Sequence, residues 1–342
     1  MDVMRLYIDK NNLISLLLSR DIDGYEDCLR MVKRQLDVYF FFSKKNLDKD
    51  KDQDLITMMS TFTTGVGNSK AVFMDTAAFE YPERPMKGNS SSSFTPEQLS
   101  SVYLLSDNPE DKLDFIKERG NILIGGINDE INTLKKLIFD DYQYACKIKE
   151  SDFESKGWNA LKEFAMPCTD ILLIDNYILS DESLYDYNIY PLLRMISRCG
   201  SGKQINIVIV TKKRNHNRAL KYDFEPDWKN IKSKIKFEIK KECGSKSVNV
   251  TFVLLPKEID EHDRTIITNY VRMHSGDSYN YLNSSGTYIS KSHHLLIDSL
   301  AHADNQELAN EVIKIVQSKA NEAKNRNPNL IIGDKVCSFI HF

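Results

Sequence analysis

Three short runs constrain this chain more than anything else in it. Ile171 to Ile174, Ile205 to Val210 and Val248 to Leu255 are built almost wholly of Ile, Val and Leu. They fall far short of the ~20 apolar residues that a membrane span needs. They carry no alternation of apolar and polar residues, which is the pattern of strands buried on both faces of a parallel sheet. Parallel neighbours need a crossover between them. The intervening segments, Leu184 to Arg198 and Trp228 to Cys243, are therefore read as helices, the second with Trp228, Ile231, Ile235 and Ile239 at helical steps.

The N-terminal half repeats the alternation in weaker form. Met4 to Ile8 reads as a strand running into a helix at Leu13 to Leu18. Tyr25, Cys28, Leu29, Val32, Leu36 and Phe40 predict one long amphipathic helix, and Leu55 to Phe62 another. Ala71 to Met74, Val102 to Leu105 and Ile122 to Ile124 are expected strands. Lys44 to Asp54 is a solvated loop of mixed charge, and the Gly88 to Ser93 tract a flexible one. Asp129 to Lys149 and Ser155 to Phe164 are expected helices. After the central runs, Thr265 to Tyr270 and Val271 to His274 predict two short antiparallel strands, and Gln306 to Ala323 a terminal helix. The expected fold class is α/β in two domains, residues 1–150 and 151–342, since 342 residues with 41% hydrophobic content suit about two cores.

Composition excludes several function classes. Lys and Arg number 46 against 49 Asp and Glu, a net charge of -3, so a nucleic-acid surface has to be a local patch. Met1 to Arg20 carries Asp2, Arg5, Asp9 and Lys10 where a signal peptide is apolar, and a cytoplasmic protein without membrane attachment is expected. The six cysteines form no C-x-x-C pair, which argues against a disulfide framework or a zinc ribbon. Gly65 to Lys70 lacks the P-loop spacing.

The chemistry-bearing segment is Glu261-His262-Asp263-Arg264, with Asn269 five residues after Arg264 and Gly276 after six intervening residues. It resembles the phospholipase D superfamily signature H-x-K-x4-D-x6-G, with Arg264 at the Lys position and Asn269 at the Asp position. Asp175-Asn176-Tyr177 follows the first apolar run, much as a D-P-Y segment does in the C-terminal domain of MIT-domain proteins. The resemblance covers about residues 155–342. It implies a phospholipase D-like fold and, if active, a phosphodiesterase in which His262 attacks phosphorus and Arg264 holds the non-bridging oxygens. An amide at Asn269 cannot stabilise an imidazolium as a carboxylate does. No second His-x-Lys copy exists, His216 and His293-His294 lacking the spacing. The expectation is thus a degenerate module that recognises phosphodiesters, in the manner of family members found in bacterial antiviral defence or DNA-processing assemblies. A protein partner or a homo-oligomer goes with that reading.

Residues 203–246 hold 13 Lys or Arg against five acids, in a chain that is acidic overall. Lys212, Lys213, Arg214 and Arg218 follow an apolar run, where open α/β sheets bind ligands, and are the expected phosphate-binding residues. The alternative, a solvated helix face, applies to Lys232, Lys236 and Lys240. A separate reading concerns the N-terminal half: Asp9, Asp75 and Asp107 each follow an expected strand, as carboxylates do in PIN-like metal nucleases. Capping of a helix N-terminus explains Asp9 equally well. No cofactor is expected outside that reading, under which Mg²⁺ or Mn²⁺ would be held. A protein-interaction subunit with neither activity is the remaining alternative.

Overall fold

The computed structural model describes residues 4–40, 42, 47–63, 71–72, 101–104, 123–139, 144–198, 204–213, 227–244, 247–256 and 264–342. It is a mixed α/β structure with two sheets, and by contact density it divides into two compact units. The first comprises Met1–Ala145 with Ser299–Glu307, and the second Cys146–Asp298 with Leu308–Phe342.

The first unit is built on five parallel strands, β1 (Arg5–Ile8), β2 (Asp37–Phe40), β3 (Ala71–Val72), β4 (Ser101–Leu104) and β5 (Leu123–Gly125), in the order β3-β2-β1-β4-β5. Register aligns Leu6 and Ile8 with Val38 and Phe40 on one side and with Val102 and Leu104 on the other. These residues form a buried apolar face, against which Phe62 of α3 (Gln53–Thr63) sets its ring 6.2 Å from that of Phe40. The opposite face carries a stack of tyrosines, with Tyr7 4.6 Å from Tyr103 and 5.0 Å from Tyr39 between ring centroids. Also in this unit are α1 (Lys10–Leu18), α2 (Tyr25–Gln35) and α4 (Glu130–Lys135).

Two sequence expectations fail in this half. The helix from Tyr25 does not run to Phe40. Leu36 turns extended (φ -114°, ψ 142°), Asp37 donates its N–H to Met4 O, and the next residues become β2. The expected helix Asp129 to Lys149 is broken as well. Among its described residues only Glu130–Lys135 are α-helical, Phe139 and Tyr144 sit at φ 62° and 54°, and Ala145–Lys149 is strand β6. A left-handed aromatic residue cannot lie within a right-handed helix.

The second unit carries an eight-stranded sheet in the order β13-β9-β8-β7-β10-β11-β12-β6. Its centre is the predicted parallel trio, β7 (Asp170–Ile174), β8 (Gln204–Lys212) and β9 (Ser247–Leu255), with β7 buried at all five positions. The crossover helices are α6 (Ile189–Ser197) and α7 (Trp228–Cys243), which pack on one another. α6 is shorter than expected, Glu182–Leu184 ahead of it being a 3-10 turn. The expected Ser155 to Phe164 helix is α5 (Glu150–Lys156) stopped by Gly157 at φ 54°, with a 3-10 turn over Gly157–Phe164. β10 (Thr265–Ile267) runs antiparallel to β11 (Val271–Ser275), as the sequence predicts, and its other edge pairs antiparallel with β7.

Besides β2 and β6, the sequence reading missed β12 (His294–Ser299) and β13 (Ile331–Gly333), the latter antiparallel to β9 and following the long helix α8 (Ala303–Arg326). Gly333 has φ 117°, and a Cβ there would run into the Val250 carbonyl oxygen, so the end of β13 needs glycine. Among the described residues no helix is long and apolar enough to cross a membrane.

Candidate functional site

Strand direction gathers the site. The carboxyl ends of β7 and β8, the start of β10 and the end of β11 share one edge of the second sheet: Asp175 donates its N–H to Val210 O, and Ser275 donates its N–H to Arg264 O. This is the edge at which open α/β sheets present ligand-binding loops.

Asp175 is its centre. It is fully buried, and its Oδ1 accepts the Tyr177 N–H (2.7 Å) while Oδ2 accepts the Ser278 hydroxyl and the Tyr279 N–H (both 2.8 Å). Burial pushes its carboxyl above the ordinary value, against those hydrogen bonds and the charge of Arg264. Asp277 shows the opposite balance. Burial pushes it up, but the N–H groups of Lys291 and Ser278, the Ser290 hydroxyl and the Arg264 charge outweigh this and hold it below the ordinary value. The same segment is pinned by the Tyr279 hydroxyl, which donates to the carbonyls of Arg264 and Met273 (both 3.0 Å). Behind it, Tyr281 stacks on Trp158 at 5.3 Å and meets Phe153 edge-on at 4.9 Å, a rigid apolar backing.

Arg264 and Gly276, two positions of the signature, do meet: Arg264 Nη1 donates to Gly276 O at 3.2 Å. The guanidinium stands over the Tyr177 ring, 5.9 Å from its centroid, and its Nε is buried without a partner among the described residues. Because its charge acts on both Asp175 and Asp277, Arg264 is partly compensated from within the protein.

Asn269 is not part of this cluster. β10 pairs Thr265 with Ile174 and Ile267 with Leu172, so Asn269 lies at the opposite end of β7, about 16 Å away for a five-residue strand. There it is fully buried, its Oδ1 accepting the N–H groups of Thr169 (2.9 Å) and Asp170 (3.3 Å). Asp170 in turn accepts from Thr169 Oγ1 (2.7 Å), Asn206 Nδ2 (3.0 Å) and both the N–H and hydroxyl of Ser338 (2.7 and 2.9 Å). Burial beside that carboxylate raises the Cys337 thiol to about 12. This buried network accounts for Asn269 as a structural amide, set apart from Arg264 and Gly276, with which the signature groups it. His262 itself lies outside the described residues.

The basic tract separates into two populations. Lys232 and Lys236 of α7 reach Asp334 at 2.6 and 2.9 Å, and with the Val250 N–H at 2.9 Å they hold its carboxyl at about 2 although burial opposes this. Lys241 and Lys234 face the buried Glu238 at 3.0 and 3.8 Å, where Arg194 also points at 3.3 Å. Much of the helix stripe is therefore neutralised internally. Lys212 and Lys213 stand on the ligand edge, where Lys213 is exposed and its backbone N–H donates to Leu255 O (2.7 Å). Arg214 and Arg218 lie outside the described residues.

In the first unit Asp9 ends β1, and its backbone N–H donates to Leu104 O on neighbouring β4. That is the point at which the connections of this sheet reverse direction. Its Oδ1 accepts the N–H and the side-chain amide of Asn12 (2.8 and 2.9 Å), the capping role. Asp75 and Asp107 lie outside the described residues. Among those described, no cluster of three or more His, Cys, Asp or Glu is placed to hold a metal ion.

Sequence reasoning missed Asp277, Ser278, Tyr279 and Asn280. The signal was a stretch after Gly276 rich in Ser, Asn, Gly and Tyr and without periodicity, of the kind that carries binding loops. In comparisons with known proteins, no family model and no curated protein matches the chain.

Proposed function

We propose that the second unit is a phospholipase D-like domain that recognises a phosphodiester, foremost nucleic acid, without cleaving it. The first unit forms a separate domain, with the boundary near residue 150. The observation that carries the reading is the sorting of the cations. Four lysines of α7 (Lys232, Lys234, Lys236 and Lys241) are paired with Asp334 or Glu238, whereas Lys213 stands exposed at the carboxyl end of β8, next to Lys212. A ligand that displaces counterions would be met there. Catalysis is the weaker reading because Asn269 is committed to Thr169 and Asp170 and leaves the described cluster without the expected His-orienting partner. The test is fluorescence anisotropy with oligonucleotides across a salt series. Lys212→Ala/Lys213→Ala should weaken binding and flatten the salt slope by about one unit per lost phosphate contact. Lys234→Ala/Lys241→Ala on α7, whose charges are answered by Glu238, should not. Equal effects, or none, would overturn the assignment.

One observation favours a second reading for the first unit. Its all-parallel order β3-β2-β1-β4-β5 sets Asp9 at the reversal point, where a PIN-like nuclease would gather Mg²⁺ or Mn²⁺. Metal-dependent cleavage that is lost in Asp9→Asn and survives His262→Ala would establish it.

A further inference from the structure

We infer that Tyr177 is a stacking platform for an unpaired nucleobase, so that the ligand of this edge is single-stranded. The inference rests on the phosphodiester reading above and narrows it to a substrate class. Tyr177 is 41% exposed, at the edge where every other aromatic of the neighbouring segment is turned inward: Tyr279 and Tyr281 are fully buried. An aromatic ring left open to water beside a rigid aromatic cluster is not explained by packing.

Tyr177 is fixed through its backbone and covered on one face of its ring. Its backbone N–H is fixed by Asp175 Oδ1 at 2.7 Å, and its carbonyl accepts the Asn280 side-chain amide at 2.8 Å. The Arg264 guanidinium covers it at 5.9 Å from the centroid. A cation over one face of an aromatic ring leaves the other for a base, and a ring that is already ordered loses little freedom on stacking. Nucleobases offer their faces to a side chain only when they are out of a duplex stack.

Phosphate recognition lies within one nucleotide's reach. Tyr177 is two residues past Asp175, whose N–H binds Val210 O on β8, and Lys212 and Lys213 continue that strand. Adjacent strands are about 4.8 Å apart, so a base on the ring sets the neighbouring phosphate toward these lysines. Arg264, compensated by Asp175 and Asp277, serves as the backing of the ring and not as the main phosphate ligand.

The test measures the affinity of the full chain for a labelled oligothymidine and for an abasic strand of equal length, at one low salt concentration. Wild type should prefer the thymine strand by about tenfold, the effect of one base stacked on an aromatic side chain. Tyr177→Ala should abolish that preference by weakening the thymine strand alone, and Tyr177→Phe should keep it. Equal wild-type binding to both strands, or a Tyr177→Ala loss that is the same on both, would overturn the stacking assignment and leave the phosphate reading standing. Failure of wild type to bind either strand would overturn both.

Discussion

Replacing Asp334 with Asn removes the carboxylate that answers Lys232 and Lys236 while keeping an oxygen for the Val250 N–H. The Asp334 carboxyl is held at about 2 against a reference of 3.8. Taken in full, such a shift is worth roughly 2.4 kcal/mol, and screening at a side chain that is 24% exposed reduces it to roughly 1–2 kcal/mol. A carboxyl whose folded value is depressed stabilises fully above its unfolded pKa and loses that contribution as pH falls toward the folded one. The penalty in Asp334→Asn should therefore be complete at neutral pH and roughly halved near pH 3. Both tryptophans, Trp158 and Trp228, lie in the second unit, so their fluorescence reports its urea unfolding alone. For a slope of about 2 kcal/mol per molar urea the midpoint should fall by about 0.5–1 M at neutral pH. A deficit of the same size at both pH values, or none at either, would refute the electrostatic argument. Releasing two lysines should also steepen the salt dependence of polyanion binding by up to about two units, turning the quiet helix face into a second, unspecific one.

Other substitutions probe the frame of the site. Asn269→Ala should cost about 2–4 kcal/mol in the same unfolding assay, because the N–H groups of Thr169 and Asp170 lose their acceptor; unchanged stability would return Asn269 to the list of chemically active groups. Asp175→Ala should speed hydrogen exchange at the amides of Tyr177 and Tyr279 by about tenfold or more and spare the Asp170 network at the far end of β7. Equal protection in variant and wild type would show that the carboxylate does not hold the two loops. Gly333→Ala should destabilise the second unit by more than about 2 kcal/mol, read as a lower urea midpoint, since both φ and the Val250 carbonyl oppose a side chain.

What could be read from sequence followed the range of the interaction. Strands β7, β8 and β9 declare themselves because burial on both faces demands an unbroken apolar run, and α7 follows because a parallel pair needs its crossover. β2 is hidden because Val32, Leu36 and Phe40 keep a helical step through a junction that is decided by pairing with β1. β13 has only three residues, and β12 buries alternate positions in a sequence, His294 to Ser299, whose apolar residues do not alternate. The site divides in the same way. Lys212 and Lys213 are legible from their place after a strand. The capture of Lys232 by Asp334, 102 residues on, and of the Ser278 hydroxyl by Asp175, 103 residues back, leaves no local trace.

The order of the large sheet also sets a timetable. β9 is flanked by β8 on one side, but its other neighbour is β13, from a segment synthesised long after it. The same late segment supplies Asp334 to the Val250 N–H and Ser338 to Asp170. At about 5–20 residues per second, a nascent chain carries β9 for several seconds with one row of N–H and C=O groups unanswered. Val250, Phe252 and Leu254 line that strand, so the waiting edge is both apolar and open to foreign strands. During synthesis the hazard of this fold is concentrated there, and a chaperone that shields β9 would protect the parallel core until its last strand arrives.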